Sequence, residues 1–312
     1  MVIKAKLGRS EDRAYLEKIS NLASDLRSIS DASHFVQQMV SLSALLSSYD
    51  RSLGGSYPAI DENAQDPTYF LIAYFDTQNV PCALSVYRIV RSLTRHVLLL
   101  DKFYETKNDR YAMQAKQARK SAFELARSEG NIQHLVYSMD YSLKQFSEFW
   151  KFEQITKRRI LEKGTFSYPE IRHFILSKSS DASLVYAKIL DAVLPGFSEN
   201  ATSVLHYNQA LLDIQDDWED IEEDVREDMP NIFVMAALAK VPYTRIRKSR
   251  RDLIRKVVLS GIRSSQEQPI SRLATELHQL IEGTSIPGNF SFLKILSDRY
   301  VDSLKMRIPI PQ

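Results

Sequence analysis

A single cysteine, Cys82, stands in a chain of 312 residues, which excludes an intrachain disulfide and any thiolate metal cluster. A bound metal must therefore be held by oxygen ligands. The six histidines show no i, i+4 pairing and no HExxH spacing, which argues against a zinc site. Long apolar runs are also missing. The longest, Ile232 to Ala239, falls far short of the roughly 20 residues of a membrane span, and the N-terminal MVIKAKLGRSEDRAY lacks an apolar core. These absences predict a cytoplasmic chain without stable membrane insertion. Charge of one sign is lacking too: 41 Lys and Arg against 39 Asp and Glu leave a net charge of +2, so nucleic acid is not an expected partner. The basic stretch Tyr243 to Lys256 reads as a solvated helix face. No GxSxG, P-loop or GxGxxG sequence occurs, and period-2 runs bounded by hairpin turns are absent.

What remains is helical. The nine glycines and eleven prolines fall at the ends of long segments with helical periodicity. The spacing predicts helices near 10–30, 33–50, 67–77, 82–106, 108–129, 131–162, 168–177, 181–194, 200–226, 231–240, 243–262, 269–283 and 289–307. No linker or composition shift divides them. The expectation is an all-α helical bundle forming one domain over residues 1–312.

One stretch concentrates charge. From Asp213 to Asp228, ten of sixteen residues are acidic and only Arg226 is basic. At 100° per residue, Ile214, Trp218, Ile221 and Val225 form one stripe, and Asp216, Asp220 and Asp224 form another. Periodicity alone fits a surface helix with carboxylates in water. Stacking carboxylates one turn apart is repulsive unless a cation screens them, and hard divalent ions prefer such oxygens. A second acidic stripe exists in LTRHVLLLDKFYETKND, where Asp101, Glu105 and Asp109 again recur at i, i+4, i+8.

These two stretches resemble the aspartate-rich motifs of the class I isoprenoid synthases. LLDIQDDWED, Leu211 to Asp220, is similar to the second motif (FQIxDDxxD) of trans-prenyl diphosphate synthases, with Asp213 in place of Gln. LLLDKFYE resembles the first, LxxDDxxD, with Lys102 in the second aspartate slot. ILSKSSDASLVYAKIL resembles the family's Lys-Thr segment, with Lys178 in the lysine position, and DMPNIFVMAAL looks like GKPTLPVxxAL, with Met229 where a lysine is expected. The isopentenyl diphosphate pocket is degraded: LGGSYPA carries no Lys or Arg, and only Arg110 follows the first motif. LSDRYVDSL resembles the Arg-Tyr pair of microbial class I terpene synthases, and Asp216, Asp220 and Asp224 occupy the spacing of that family's second metal motif.

The resemblance implies a helical bundle around a central cavity and a Mg²⁺-dependent terpene synthase that ionises a linear prenyl diphosphate. It implies three Mg²⁺ ions, with Asp101, Glu105, Asp216, Asp220 and Asp224 as ligands. Arg172, Lys178, Arg299 and Tyr300 would bind the diphosphate, and Asp101, Asp216, Arg299 and Tyr300 would carry the catalytic roles. A divergent chain-elongating prenyl diphosphate synthase, or a non-catalytic subunit of one, is the alternative. Related enzymes are often homodimers, so a homodimer is the expected assembly.

Overall fold

The computed structural model describes residues 80–128, 135–162, 164–193, 199–238, 269–286 and 292–307, with isolated residues at 14, 17, 18, 21, 22, 25, 34, 37, 41, 44 and 45. All secondary structure among the described residues is helical, without a strand. The helices are α1 (Val80–Thr106), α2 (Asp109–Ser128), α3 (Leu135–Leu161), α4 (Tyr168–Val193), α5 (Glu199–Glu219), α6 (Ile221–Glu227), α7 (Ile232–Leu238), α8 (Pro269–Gly283) and α9 (Phe292–Arg307). The all-α expectation holds. The segments expected near 67–77 and 243–262 lie outside the described residues, and those near 10–30 and 33–50 are represented only by isolated helical positions. No described helix is long and apolar enough to cross a membrane.

The chain divides into two compact units: one formed by 1–140, 185–197 and 288–292, the other by 141–184, 198–287 and 293–312. In the first, α1 and α2 form a helical hairpin closed by Lys107 in the left-handed region, at φ 54°. Asn108 accepts the Arg110 N–H through Oδ1 at 3.0 Å and so caps α2. Ile89 and Leu93 of α1 and Ala115, Ala122 and Ala126 of α2 are buried. Small residues on α2 let the two helices approach closely. The His96 ring, buried between them, donates from Nδ1 to the Ala115 carbonyl at 2.9 Å, and burial together with Arg119 lowers its pKa.

In the second unit, the apolar stripe of the acidic run is core. Ile214, Trp218, Ile221 and Val225 are buried, and Trp218 meets the Phe233 ring edge-on at 5.1 Å. Six of the seven residues of α7 are buried, so the longest apolar run of the sequence is a short core helix. On α8, Ile270, Leu273, Ala274, Leu277 and Ile281 make the buried face of a 3.6-period stripe and pack against α5.

Two boundaries differ from the periodicity reading. The stretch 177–181 reads as a joint because it is rich in serine, yet α4 runs through it. Ser180 donates to the Ser177 carbonyl at 2.7 Å, and Ser179 Oγ lies 2.7 Å from the Ile175 carbonyl and 2.5 Å from Asp213 Oδ2, its single proton shared between them, so both hydroxyls are satisfied inside the helix. The acidic helix instead breaks at Asp220, whose φ −93°, ψ 4° separates α5 from α6. The backbone ladder survives the break: Asp220 N bonds Asp216 O at 2.8 Å and Asp224 N bonds Asp220 O at 2.9 Å. The run is therefore a bent but continuous rod.

The joint between α3 and α4 is clamped. At the start of α4, Glu170 reaches back to accept from both the N–H and the Oγ of Ser167 at 2.7 Å, the carboxylate half of a capping box. Arg159 reaches from α3 to bond Glu170 Oε1 and Thr165 O, each at 2.5 Å, while its guanidinium lies 4.5 Å over the Phe166 ring. The arginine's hydrogen bond, followed by those of Ser167, draws the Glu170 pKa down to about 2. Gly164 turns the chain under this arginine, and a Cβ there would stand 2.5 Å from Arg159 Cγ and 3.0 Å from its carbonyl oxygen. Gly164→Ala is expected to displace the clamp and cost about 1–3 kcal/mol. Thermal unfolding of the variant, with Gly283→Ala as the control whose Cβ meets nothing within 4 Å, measures it.

Candidate acidic site on the α5–α6 rod

Five aspartates of the rod, Asp213, Asp216, Asp217, Asp220 and Asp224, gather around the end of one lysine, Lys178 of α4. Lys178 Nζ donates to Asp217 Oδ1 at 2.6 Å, and the carboxylate side chain of this pair is only 1% exposed. Burial alone would lower the lysine's pKa. The charges of Asp217 and Asp213, with the Asp217 hydrogen bond and Asp224 behind them, outweigh it and raise the value, so Lys178 stays an ammonium.

Asp217 holds more than the lysine. Its Oδ2 accepts the N–H of Ile232 at 2.8 Å, the first residue of α7, where the positive end of the helix dipole favours a carboxylate. Asn231, fully buried, caps the same helix through Oδ1, accepting from Phe233 N at 2.9 Å. Its Nδ2 donates to the Asp217 carbonyl at 2.6 Å and to Asp224 Oδ2 at 2.8 Å. Asp213 is buried as well, bonded by Ser179 Oγ at 2.5 Å and Gln209 Nε2 at 2.8 Å; desolvation nevertheless raises its pKa. Asp217, Asp213 and Asn231 thus bind the rod to its neighbours.

Asp216 and Asp220 behave differently. Neither carboxylate accepts a hydrogen bond or forms an ion pair with a described residue. Both side chains are exposed. Desolvation, then Asp213, Asp217 and Asp220, push Asp216 up to about 7 against the pull of Lys178. Asp224 is also pushed up to about 7, chiefly by desolvation, despite its bond from Asn231. Asp220 rises for the same first reason, with Glu223 adding repulsion. The rod holds more negative charge than its lysine balances.

The three carboxylates of the predicted ligand stripe do not draw together. Among the described residues, Asp216, Asp220 and Asp224 are not a set whose ligand oxygens all lie within 4.8 Å of one another. Asp224 is engaged instead by Asn231 Nδ2, at 2.8 Å. The chemistry of the three still fits a hard cation: all donors are carboxylate oxygens, and those of Asp216 and Asp220 accept no hydrogen bond from a described residue.

The other predicted residues are placed as follows. Tyr300 of α9 is buried, and its pKa is raised chiefly by burial, with the charges of Asp216 and Asp213 adding to it. Arg299 precedes it, half-buried, and makes no ion pair with a described residue. Arg172 lies six residues before Lys178 on α4, about 120° around the helix, and bonds Glu276 Oε1 of α8 at 2.6 Å. Tyr168 donates to the same carboxylate, and the Arg272 guanidinium lies 4.2 Å over the Tyr168 ring. Arg172 therefore belongs to an α4–α8 network, with no recorded contact to the rod. Asp101 and Glu105 sit one turn apart near the end of α1, in the first unit.

Sequence reasoning missed Asn231 and the internal role of Asp217. An asparagine directly after Pro230 and before an apolar run is a helix-cap signal and could have been found; the pairing of Asp217 with Lys178 crosses 39 residues and leaves no local mark. No family model, curated protein or solved structure matches the chain.

Proposed function

We propose that the protein is a class I terpene synthase, acting with Mg²⁺ on a linear prenyl diphosphate and releasing a terpene and diphosphate. The observation that supports it most is the excess of carboxylate on the rod, where the Asp216 and Asp220 carboxylates accept no hydrogen bond from a described residue. Asp216, Asp220 and Asp224 would be metal ligands, and the motif resemblance assigns Asp101 and Glu105 the same role. Bound Mg²⁺ would neutralise the leaving diphosphate and so favour ionisation of the allylic carbon–oxygen bond.

The chain's own groups supply the rest. Arg299 has no carboxylate to give up and can offer its guanidinium to phosphate oxygens; Tyr300, kept neutral by its environment, donates its O–H. Lys178 keeps its charge and holds Asp217 while leaving two of its N–H groups for other acceptors. Arg172 reaches a phosphate only by leaving Glu276, so diphosphate binding would be coupled to the α4–α8 network.

The test is product analysis by mass spectrometry after incubation with Mg²⁺ and C10, C15, C20 and C25 prenyl diphosphates, with and without isopentenyl diphosphate. Terpene formed without the co-substrate is the expected result. Longer diphosphates formed only with isopentenyl diphosphate would replace this reading by chain elongation, and no turnover by either route would replace it by a non-catalytic subunit.

A further inference from the structure

A second set of ligand atoms lies on α8 and α9. His278 and Glu282 are one turn apart on α8 and so share a face. Asp298 comes to them from α9, with His278 Nε2 2.9 Å from Asp298 Oδ1. The ligand atoms of His278, Glu282 and Asp298 all lie within 4.8 Å of one another, the only such group of three among the described residues. The donors differ in kind from those of the acidic rod: an imidazole joins two carboxylates. Imidazole nitrogen suits zinc and the neighbouring first-row transition ions, whereas Mg²⁺ prefers oxygen alone.

We propose that His278, Glu282 and Asp298 form a binding site for a transition-metal dication of the zinc class, bridging α8 and α9 and separate from the acidic rod. Two ligands of one tetrahedral zinc stand about 3.4 Å apart, from metal–ligand distances of about 2.1 Å. The present 2.9 Å spacing between Nε2 and Oδ1 therefore opens by only a few tenths of an ångström on binding. The imidazole proton then sits on Nδ1, and the Nε2 lone pair faces the ion. Glu282 is exposed and free to turn its carboxylate, while its backbone is fixed by Lys294 Nζ bonding its carbonyl at 2.8 Å. That lysine is bonded to a carbonyl oxygen and forms no ion pair with either carboxylate. Half-buried His278 and exposed Glu282 and Asp298 leave the outer coordination position to water, the arrangement of three protein ligands with one open place.

The sequence hides this site because it uses one histidine, not a pair, and its third ligand is 20 residues from the first. Its position has a consequence for α9: Asp298 immediately precedes Arg299 and Tyr300, so an ion there would fasten the turn that carries them.

Calorimetric titration of the full chain with Zn²⁺ in Mg²⁺-free buffer, paired with Co²⁺ titration followed by visible d–d absorption, tests the proposal. One ion per chain is expected, with affinity weakened about tenfold or more in His278→Gln and in Asp298→Asn, and unchanged in Asp216→Asn. All three positions are solvent-accessible or half-buried, so the variants retain the fold. Absence of saturable binding overturns the proposal. So does binding that survives both His278→Gln and Asp298→Asn, or that is lost only in Asp216→Asn, which would place the ion on the acidic rod. None of these readouts depends on turnover.

Discussion

Asp216→Asn is expected to have two opposite effects: loss of Mg²⁺-dependent turnover by at least about a hundredfold, and a gain in stability of the metal-free chain above neutral pH. The first follows if Asp216 is a ligand, because an amide oxygen brings no charge to the ion. The second follows from its environment. The folded protein pushes this carboxyl from an ordinary 3.8 up to about 7, by desolvation and by the aspartates around it. Between those values the folded chain keeps a proton that the unfolded chain has lost. Stability is thus present below about pH 4, falls as pH rises through this window, and levels off above about 7. Asparagine mimics the protonated form and removes that fall. Because the side chain is exposed, the gain is on the order of 1 kcal/mol, about 2 °C in Tm. Added Mg²⁺ should stabilise the wild type at pH 8 and not the variant. Unfolding curves at pH 5 and pH 8, with and without Mg²⁺, check the pair of effects. A variant with near wild-type turnover would sink the ligand assignment. One that is no more stable at pH 8 than at pH 5, relative to wild type, would sink the charge-excess argument.

Lys178→Met should be strongly destabilising. Removing the ammonium leaves Asp217, 1% exposed, without its 2.6 Å partner, and leaves Asp213 and Asp216 without the nearest positive charge. Breaking a buried pair from one side costs about 3–5 kcal/mol. Replacing both partners costs less: in Lys178→Met/Asp217→Asn the amide oxygen still accepts from Ile232 N–H while the uncompensated charge is gone. The double variant is expected to recover more than half of the loss. Urea unfolding of the wild type, both single variants and the double variant measures the coupling. If the single and double variants lose equal stability, Lys178 acts by packing and not by charge.

Much of the fold was legible in the sequence. Most helices in the described part sit where periodicity and the Gly and Pro marks place them, because amphipathic stripes and chain breakers are local properties. The errors are local conflicts settled by longer-range structure. Ser177 to Ser180 looks like a joint until Ser179 finds both a backbone carbonyl and Asp213. The stretch 200–226 looks like one helix until Asp220 adopts its bridge-region angles. The acidic site was half legible. Periodicity separated its buried face from its carboxylate stripe and isolated Asp216, Asp220 and Asp224. It could not say which aspartates already have partners, because Lys178, Ser179 and Tyr300 lie 34 to 84 residues away along the chain. Arg172 shows the same limit. Its guanidinium was read for a phosphate, and its partner in the structure is Glu276, 104 residues on.

The bonds of Asn231 make the distance along the chain from Asp217 act as a ruler. One amide nitrogen reaches the carbonyl 14 residues back and the carboxylate seven residues back, and the same residue starts α7. A single inserted residue inside α6 would turn everything beyond it by about 100° and advance it by about 1.5 Å. The bond to the Asp217 carbonyl would break and Ile232 would leave Asp217, and an insertion after Asp224 would break the second bond as well. Loops commonly absorb insertions; this stretch, though partly exposed and rich in charge, has its length fixed to the residue.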